Sequence, residues 1–176
     1  MTPDLTHLDA APDRGPGFDP SRIADPRYFG EHRLAPHSDH RWFATADEAS
    51  SGLSSFEQKL SGLWKFHYAK NPAGAPSGFE GVDFDCSSWD DIVVPGHLQL
   101  QGYGRPQYVN VQYPWDGHES VRPGQVPQRF NPVGSYVTWF TLERPLAEGE
   151  RVSVSFQGAE SAVAVWLNGT YVGYGA

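Results

Sequence analysis

Short stretches in which apolar and polar side chains alternate are the dominant pattern of this sequence. Leu63–Ala69, Ser135–Leu142 and Arg151–Gln157 each alternate with a period of two, which is the period of side chains on a half-buried β-strand. In Arg151–Gln157 the two valines and the phenylalanine are predicted to point inward. Ile92–Pro95 predicts a further short strand that the proline closes.

The last part of the sequence predicts a β-hairpin. Ser161–Leu167 is apolar on both faces, as is typical of a central strand covered on both sides. Asn168 and Gly169 follow, and these residue types readily adopt the positive φ angles of a type I′ turn. Thr170–Tyr174 is then the returning strand. The Asn-Gly-Thr triplet also matches a glycosylation acceptor, but the hairpin accounts for it and we find no secretory signal.

Residues 1–50 show neither the period of a strand nor that of a helix. We predict an extended N-terminal arm with at most one helical turn, near Asp25–Phe29. The arm carries large side chains that would need a partner surface, namely Tyr28, Phe29, Leu34, Trp42 and Phe43.

Residues 51–176 are predicted to form the folded domain. About six strands and no convincing amphipathic helix favour an all-β fold, specifically a jelly-roll β-sandwich. Because a jelly roll has about eight strands, we expect this one to be truncated at its C-terminal end.

Composition excludes several functions. The 176 residues suffice for one domain, and 39% hydrophobic and 19% charged residues are typical of a globular chain. A net charge of −8 argues against nucleic-acid binding. The sequence contains no run of 18 apolar residues, so no membrane span is predicted. The single cysteine, Cys86, rules out an internal disulfide and favours a reducing compartment, so we predict a cytoplasmic protein.

Three groups of reactive side chains have simpler interpretations. The histidines of the arm lie far from any cysteine, which disfavours a metal site; they are His7, His32, His37 and His40. Three acids could form a catalytic cluster or serve as turn and capping residues, and the second interpretation is favoured; they are Asp85, Asp90 and Asp91. Cys86 has no basic neighbour in sequence and is predicted to be inert.

The stretch Gly102–Trp115 has an unusual composition. It combines three tyrosines, a tryptophan, an asparagine and an arginine with two prolines and two glycines. Proline and glycine bar a long helix and favour a shaped loop. Aromatic faces beside amide and guanidinium groups suit a ligand with apolar CH faces and many hydroxyls, which is a sugar. The alternative is a loop that covers the end of a β-sandwich.

Six motifs, in order and at similar spacing, resemble the amino-terminal region of family 2 glycoside hydrolases of the large β-galactosidase type. They are His32–His37, Leu60–Phe66, Val94–Tyr103, Pro106–Pro114, Asn131–Tyr136 and Trp166–Tyr174. The resemblance implies a jelly-roll first domain, followed by immunoglobulin-like domains and a (β/α)₈ barrel. Two glutamates of that barrel perform retaining hydrolysis. Nothing in this chain matches the barrel, so no catalytic residue is predicted here.

The same resemblance implies a substrate-binding role for the loop. In the family the asparagine of the Tyr-x-Asn-Val-x-Tyr-Pro motif contacts the galactosyl group. Carried over, this residue is Asn110, with Val111 beside it. An amide can both donate to and accept from a diol, and Tyr108 and Tyr113 flank it.

Further expectations concern assembly and ions. The resemblance implies that about Asp25–His40 crosses a subunit interface, so we expect the whole enzyme to be a homo-oligomer. His32 stands where the family often has asparagine. No cofactor is predicted within this chain, while the resemblance allows magnesium and sodium in the whole enzyme.

The predicted function is therefore that of an N-terminal part of a β-galactosidase, which hydrolyses terminal non-reducing β-D-galactose. Its expected partners are the β-galactoside and the remaining domains, and the part alone is expected to be inactive. A stand-alone carbohydrate-binding module without hydrolase activity and a purely structural β-sandwich are the alternatives. An unclosed sheet counts against a stand-alone module, because an open edge promotes aggregation.

Overall fold

A computed structural model describes residues 17–38, 40–106 and 110–176. The chain divides into two compact units. In its described part the first unit comprises residues 17–33, 80–84 and 157–176, and the second comprises residues 34–79 and 85–156 without the gaps named above. Each unit contains one three-stranded antiparallel sheet. The all-β class predicted from the sequence is confirmed, whereas the domain boundary at residue 50 stays a prediction.

The sheet of the first unit is formed by β1 (Gly30–Glu31), β5 (Val163–Leu167) and β6 (Thr170–Gly175) in the order β1-β6-β5. The hairpin turn is confirmed, since Asn168 and Gly169 have φ angles of 50° and 77°. The prediction that Ser161–Leu167 is the central strand is wrong. Within this sheet β6 is central, because the short strand β1 from the arm pairs with its free side.

The sheet of the second unit is formed by β2 (Gly62–Ala69), β3 (Asp90–Val94) and β4 (Val133–Val137), with β2 in the centre. The strands predicted at Leu63–Ala69 and Ile92–Pro95 are thereby confirmed. Phe66 of β2 and Ile92 of β3 are each only 1% exposed and form the core of this unit. Burying such side chains stabilises the fold by about 1.5–3 kcal/mol each.

The predicted strand Ser135–Leu142 ends early, at Val137. Beyond Val137 the backbone forms hydrogen bonds with a side chain, that of Gln58, and not with a neighbouring strand. The Gln58 amide donates to the Thr141 carbonyl at 2.9 Å and accepts from the Glu143 N–H at 2.9 Å. These bonds satisfy groups that a strand would need for its ladder.

The predicted strand Arg151–Gln157 is absent, and its prediction was wrong. The three residues predicted to point inward are largely exposed: Val152 is 59%, Val154 49% and Phe156 45% exposed. Alternation records only which face could be buried, and a strand also needs a partner for its backbone hydrogen bonds. Neither of the two described sheets includes a strand from this segment.

Helical structure in the first 50 residues also differs from prediction. A 3₁₀ helix lies at Pro20–Ala24 and not near Asp25–Phe29, and a short α-helix, α1, spans Ala46–Ser51. The Thr45 hydroxyl accepts from the Glu48 N–H at 3.2 Å, and Gly52 ends the helix with φ of 72°. These are the usual N-cap and C-terminal residues of a helix. Of the predicted arm anchors, Phe29, Leu34 and Trp42 remain 66%, 68% and 73% exposed.

In the described part of the chain, no helix is both long enough and apolar enough to cross a membrane.

Candidate functional site

The loop predicted to bind a ligand leaves the second unit's sheet at the end of β3. After Pro95 and Gly96 the chain forms a 3₁₀ helix at Leu98–Gln101, which Gly102 ends with φ of 98°. The Gln101 amide then turns back to the strand, accepting from the Val93 N–H at 2.8 Å and donating to the Val93 carbonyl at 3.0 Å. Gln101 thus covers the free edge of β3 as a neighbouring strand would.

Gly96 is required for this contact. A Cβ atom at position 96 would lie 2.7 Å from Nε2 of Gln101 and 2.9 Å from the carbonyl oxygen of Val93. Both distances are shorter than real Cβ contacts, so any other residue would displace the Gln101 amide from the strand edge.

Tyr103 is the second anchor of the loop. Its ring meets Phe66 edge-on with centroids 4.6 Å apart, and its hydroxyl donates to Oδ2 of Asp90 at 2.9 Å. Burial, followed by the hydrogen bond to Asp90, raises the pKa of the Tyr103 hydroxyl. Tyr103 is therefore a neutral donor that ties the start of the loop to β2 and β3.

The far end of the loop is closed by Asp116. Its carboxylate accepts from the Tyr113 N–H at 2.9 Å, while the Asp116 N–H donates to the Tyr113 carbonyl at 3.0 Å. This reciprocal pair fixes a tight turn of the kind that aspartate favours. The rings of Tyr113 and Trp115 stack within it at 4.9 Å and 5°.

Beyond the turn, Glu119 holds the loop against the segment that precedes β4. Its carboxylate oxygen Oε1 accepts from the backbone N–H groups of Arg129 and Phe130 at 2.7 and 3.0 Å. The Phe130 N–H is the largest cause of the lowered pKa of Glu119. Next to it, His118 stacks on Phe130 with centroids 3.9 Å apart.

The predicted substrate-binding residues lie between the two anchored ends. Asn110 and Val111 are both exposed, Val111 to 81%. Tyr108, the other predicted flanking residue, lies outside the described residues, whereas Tyr113 is exposed to 66%. Chemically, the loop presents an amide, an aliphatic side chain and a flat aromatic face to its surroundings. The sugar-binding assignment of Asn110 and Val111 stays a prediction.

The three acids have structural partners. Asp85 accepts from the Ser87 N–H at 2.9 Å, Asp90 accepts from Tyr103, and Asp91 forms a 2.9 Å ion pair with Lys65. The Ser87 bond lowers the pKa of Asp85. Asp85 therefore has the predicted turn role, whereas Asp90 and Asp91 lie in strand β3 and were wrongly predicted to be turn or capping residues. Cys86 is free and buried, as an inert thiol would be.

Sequence reasoning missed a polar cluster in the first unit, centred on Glu31. Its carboxylate accepts from the hydroxyls of Tyr28 and Tyr171, the latter at 2.7 Å, and from Nη1 of Arg22 at 3.2 Å. These contacts, the Tyr28 bond first, lower the pKa of Glu31. Burial and the bond to Glu31 raise the pKa of Tyr171. The cluster attaches the arm to β6.

Aromatic rings surround this cluster. Tyr174 of β6 lies between two arm residues, stacked on Tyr28 at 5.3 Å and on Phe18 at 5.4 Å. Tyr171 and Tyr174 are 6% and 4% exposed, so these contacts form the core of the first unit. Thus Tyr28 has found its partner surface. Tyr171 and Tyr174 are three residues apart, a spacing that places side chains on opposite faces of a regular strand. The irregular pairing of β5 with β6 shifts the register between Val165 and Trp166, so the period of two could not reveal this cluster.

His32 also serves this attachment. Its φ is 55°, a left-handed conformation in which asparagine and histidine are enriched, and its Nδ1 lies 3.0 Å from the Val172 carbonyl oxygen. In the described residues no three His, Cys, Asp or Glu side chains converge as metal ligands would.

Comparison with known proteins gives a consistent result. The sequence profile described as "Glycosyl hydrolases family 2, sugar binding domain" matches residues 57–176. This range contains the whole loop and strands β2 to β6.

Curated relatives agree with the profile. A β-galactosidase of Halalkalibacterium halodurans is 50% identical over 155 residues, which are 88% of this chain and 15% of the relative. A β-galactosidase of Streptococcus thermophilus is 47% identical over 152 residues, 86% of this chain and 15% of the relative. A β-galactosidase large subunit of Latilactobacillus sakei is 42% identical over 161 residues, 85% of this chain and 26% of the relative. The chain thus spans about a sixth to a quarter of the length of these relatives.

Proposed function

The chain belongs to the sugar-binding domain family of the family 2 glycosyl hydrolases, and from this premise we propose that it is the amino-terminal part of a β-galactosidase. The parent enzyme hydrolyses terminal non-reducing β-D-galactose residues. The observation that carries the proposal is the family match across residues 57–176, which includes the loop with Asn110. The β-galactosidase names of the relatives supply the substrate class.

In the proposed enzyme this chain binds substrate and supplies no catalytic group. Asn110 donates to and accepts from sugar hydroxyls, and Val111 packs against the apolar face of the galactosyl group. Gln101, Tyr103 and Asp116 support this role because they hold both ends of the loop to the sheet or to the loop itself. A loop that is already ordered loses little conformational entropy when the sugar binds.

The chemistry is assigned to residues outside these 176. We propose a retaining reaction with two carboxylates, one the nucleophile and the other the acid/base. Magnesium and sodium are likewise assigned to the rest of the enzyme, as the family resemblance allows.

Assembly follows the same resemblance. We propose that the remaining domains cover part of this chain and that the enzyme is a homo-oligomer. The exposed arm residues Phe29, Leu34 and Trp42 would supply contacts. A cytoplasmic location is proposed on the basis of the single, buried, free cysteine.

Hydrolysis by the full-length protein that contains this chain tests the proposal. We expect turnover of a chromogenic β-galactoside in clear preference to the matching β-glucoside and β-mannoside, and release of β-galactose as the first anomer seen by proton NMR. Absence of galactoside turnover would contradict the assigned activity, and first release of α-galactose would contradict the retaining mechanism. The 176-residue chain alone is the matched negative control.

A further inference from the structure

The sheet of the second unit buries one face and leaves part of the other face exposed. Successive side chains of a strand point to opposite faces, so Leu63 and Lys65 of β2 lie on the face opposite the buried Phe66. Their register partners on β3 share this face, because Leu63 pairs with Val93 and Lys65 pairs with Asp91. Leu63 is 69% exposed and Val93 is 52% exposed, so two adjacent apolar side chains are left open to solvent.

Trp139 extends the exposed face on the other side of β2. The last pair between β2 and β4 is Lys65 with Val137, so Trp139, two residues further on, is level with Leu63. These two side chains line the same open cleft, and Trp139 is 67% exposed. A large exposed apolar patch of this kind marks an interaction site. The outer patch is defined here as Leu63, Lys65, Asp91, Val93 and Trp139.

The chain itself covers the other half of this face. His67, the next outward residue of β2, lies against the ring of Trp89 with centroids 5.5 Å apart. Its register partner Ser135 is only 3% exposed. Lys65 marks the boundary, since its Nζ donates to the Trp89 carbonyl at 3.5 Å. The outer patch is therefore the half of the face that the described residues leave open.

The charges of the outer patch indicate what kind of surface fits it. Nζ of Lys65 and Oδ1 of Asp91 lie 2.9 Å apart, with side chains 26% and 56% exposed. The patch thus combines one cation and one anion with apolar side chains, although the whole chain carries a net charge of −8. A uniformly basic or acidic partner would be repelled by one of the two groups. The same patch of a second copy is complementary, because a twofold rotation places cation opposite anion, as in self-complementary homodimer contacts.

A twofold axis that runs along the strands, between β2 and β3, satisfies both register pairs at once. Rotation about this axis exchanges the positions of β2 and β3. Lys65 then faces Asp91 of the partner subunit, and Leu63 faces Val93 of the partner subunit. The two sheets would pack face to face at about 10 Å, as the sheets of a β-sandwich do.

Trp139 has a counterpart under the same rotation. It lies beyond β2, about one and a half strand spacings from the axis. At the same distance on the other side, the edge of β3 is covered by Gln101, whose amide bonds to both backbone groups of Val93. Leu100, next to it in the chain, is 78% exposed. The indole of each copy would therefore cover the edge that Gln101 and Leu100 form in the other.

We propose that the outer patch is a contact between two copies of this chain, with the Lys65–Asp91 ion pair formed in both directions across a twofold axis. The inference rests on the homo-oligomer of the proposed function and deepens it. It assigns a contact to the sheet of the second unit, in addition to the contacts of the arm.

Charge reversal in the full-length protein tests the contact, with native mass spectrometry as the readout. In Lys65→Asp the charged groups of the contact are all negative, and in Asp91→Lys they are all positive. Each variant alone should therefore show half the wild-type mass and dissociate at a concentration about a hundredfold higher. Mixed in equal amounts, the two variants should form a complex of wild-type mass that contains both in equal number, because every facing pair is then opposite in charge. Repair by mixing cannot arise from the ion pair within one chain.

Two further variants serve as controls. Arg144→Asp breaks another exposed ion pair of the same unit, with Glu150 at 2.8 Å, and should leave the mass unchanged. Trp139→Ala removes apolar area without changing charge and should raise the dissociation concentration about tenfold.

The remaining outcomes separate the possible failures. Wild-type mass in both charge-reversal variants would overturn the contact and would indicate that another part of the enzyme covers the outer patch. Halved mass without repair on mixing would overturn it as well. A monomeric wild type would refute the homo-oligomer and the contact together, whereas the proposed hydrolase activity is decided separately, by β-galactoside turnover of the wild-type protein.

Discussion

Replacing Glu31 should detach the arm from strand β6. Glu31 accepts hydrogen bonds from Tyr28, Tyr171 and Arg22, and its side chain is only 22% exposed. Hydrogen bonds to a charged group contribute about 1.5–3 kcal/mol each, but bonds that share one carboxylate are not additive. After allowance for partial solvent screening, we expect Glu31→Gln to weaken the attachment by about 2 kcal/mol.

Hydrogen–deuterium exchange in the full-length protein measures this effect locally. A loss of about 2 kcal/mol corresponds to a roughly 30-fold larger opening constant. It should appear in the amides of strand β1 and of the two residues of β6 that pair with it, Tyr174 and Gly175. Tyr171→Phe removes one bond and should cost about 1 kcal/mol. Glu57→Gln is the matched control, because its ion pair with Arg41 is 40–48% exposed and solvent screens such surface pairs strongly.

The stability of the arm's attachment to β6 should also depend on pH, in a direction that the pKa of Glu31 determines. The folded pKa of Glu31 is lowered from 4.5, so the unfolded state binds the proton more tightly. The stabilisation is therefore fully present above pH 4.5 and is lost as pH falls through the lower, folded pKa. Opening constants, corrected for the intrinsic exchange rate, should rise over this interval in the wild type and stay flat in Glu31→Gln. Equal protection of both proteins would refute the reasoning.

Three further predictions follow from other contacts. Gly173→Ala should raise exchange in β1 and β6 at least tenfold, because a Cβ there would lie 2.7 Å from the Glu31 carbonyl oxygen, whereas Gly158→Ala, with open space around it, should change little. Tyr103→Phe should lower the unfolding free energy by about 1 kcal/mol in denaturant titrations by removing the bond to Asp90; an unchanged midpoint would show that this bond contributes nothing. The isolated 176-residue chain should self-associate in size-exclusion chromatography with light scattering, because Trp139, Val152 and Val154 are 67%, 59% and 49% exposed; a sharp monomer peak would contradict this.

Local signals were the ones that sequence reasoning could interpret correctly. Asn168 and Gly169 determine their own turn, because both residue types accept positive φ. The alternation of Leu63–Ala69 predicted a strand that the structure contains, since β3 and β4 supply partners on both sides. The identical logic failed for Arg151–Gln157, which neither of the two described sheets includes. Periodicity thus predicts which side chains share a face. Whether the segment forms a strand depends on a partner strand from another part of the chain.

The attachment of the arm could not be predicted in the same way. Glu31 and Tyr171 are 140 residues apart, and nothing in either local sequence refers to the other. Helix α1, in contrast, has local signals in the sequence. Thr45, Glu48 and Gly52 are its capping residues, and their spacing is that of a helix start and end. For the candidate site, the loop residues were identified from composition and family resemblance. The anchors Gln101 and Asp116 became apparent only from their bonds.

The kinetics of Asn110 variants test the central claim most directly. In the full-length protein, loss of one sugar hydrogen-bond partner should cost about 1–3 kcal/mol. Asn110→Ala should therefore lower kcat/KM for a chromogenic β-galactoside by roughly 5–150-fold, with the melting temperature nearly unchanged. Asn110→Asp, which keeps the shape but loses the amide donors, should also be impaired, and Glu148→Ala, at an exposed site elsewhere, should not. An unchanged kcat/KM in Asn110→Ala would contradict the account.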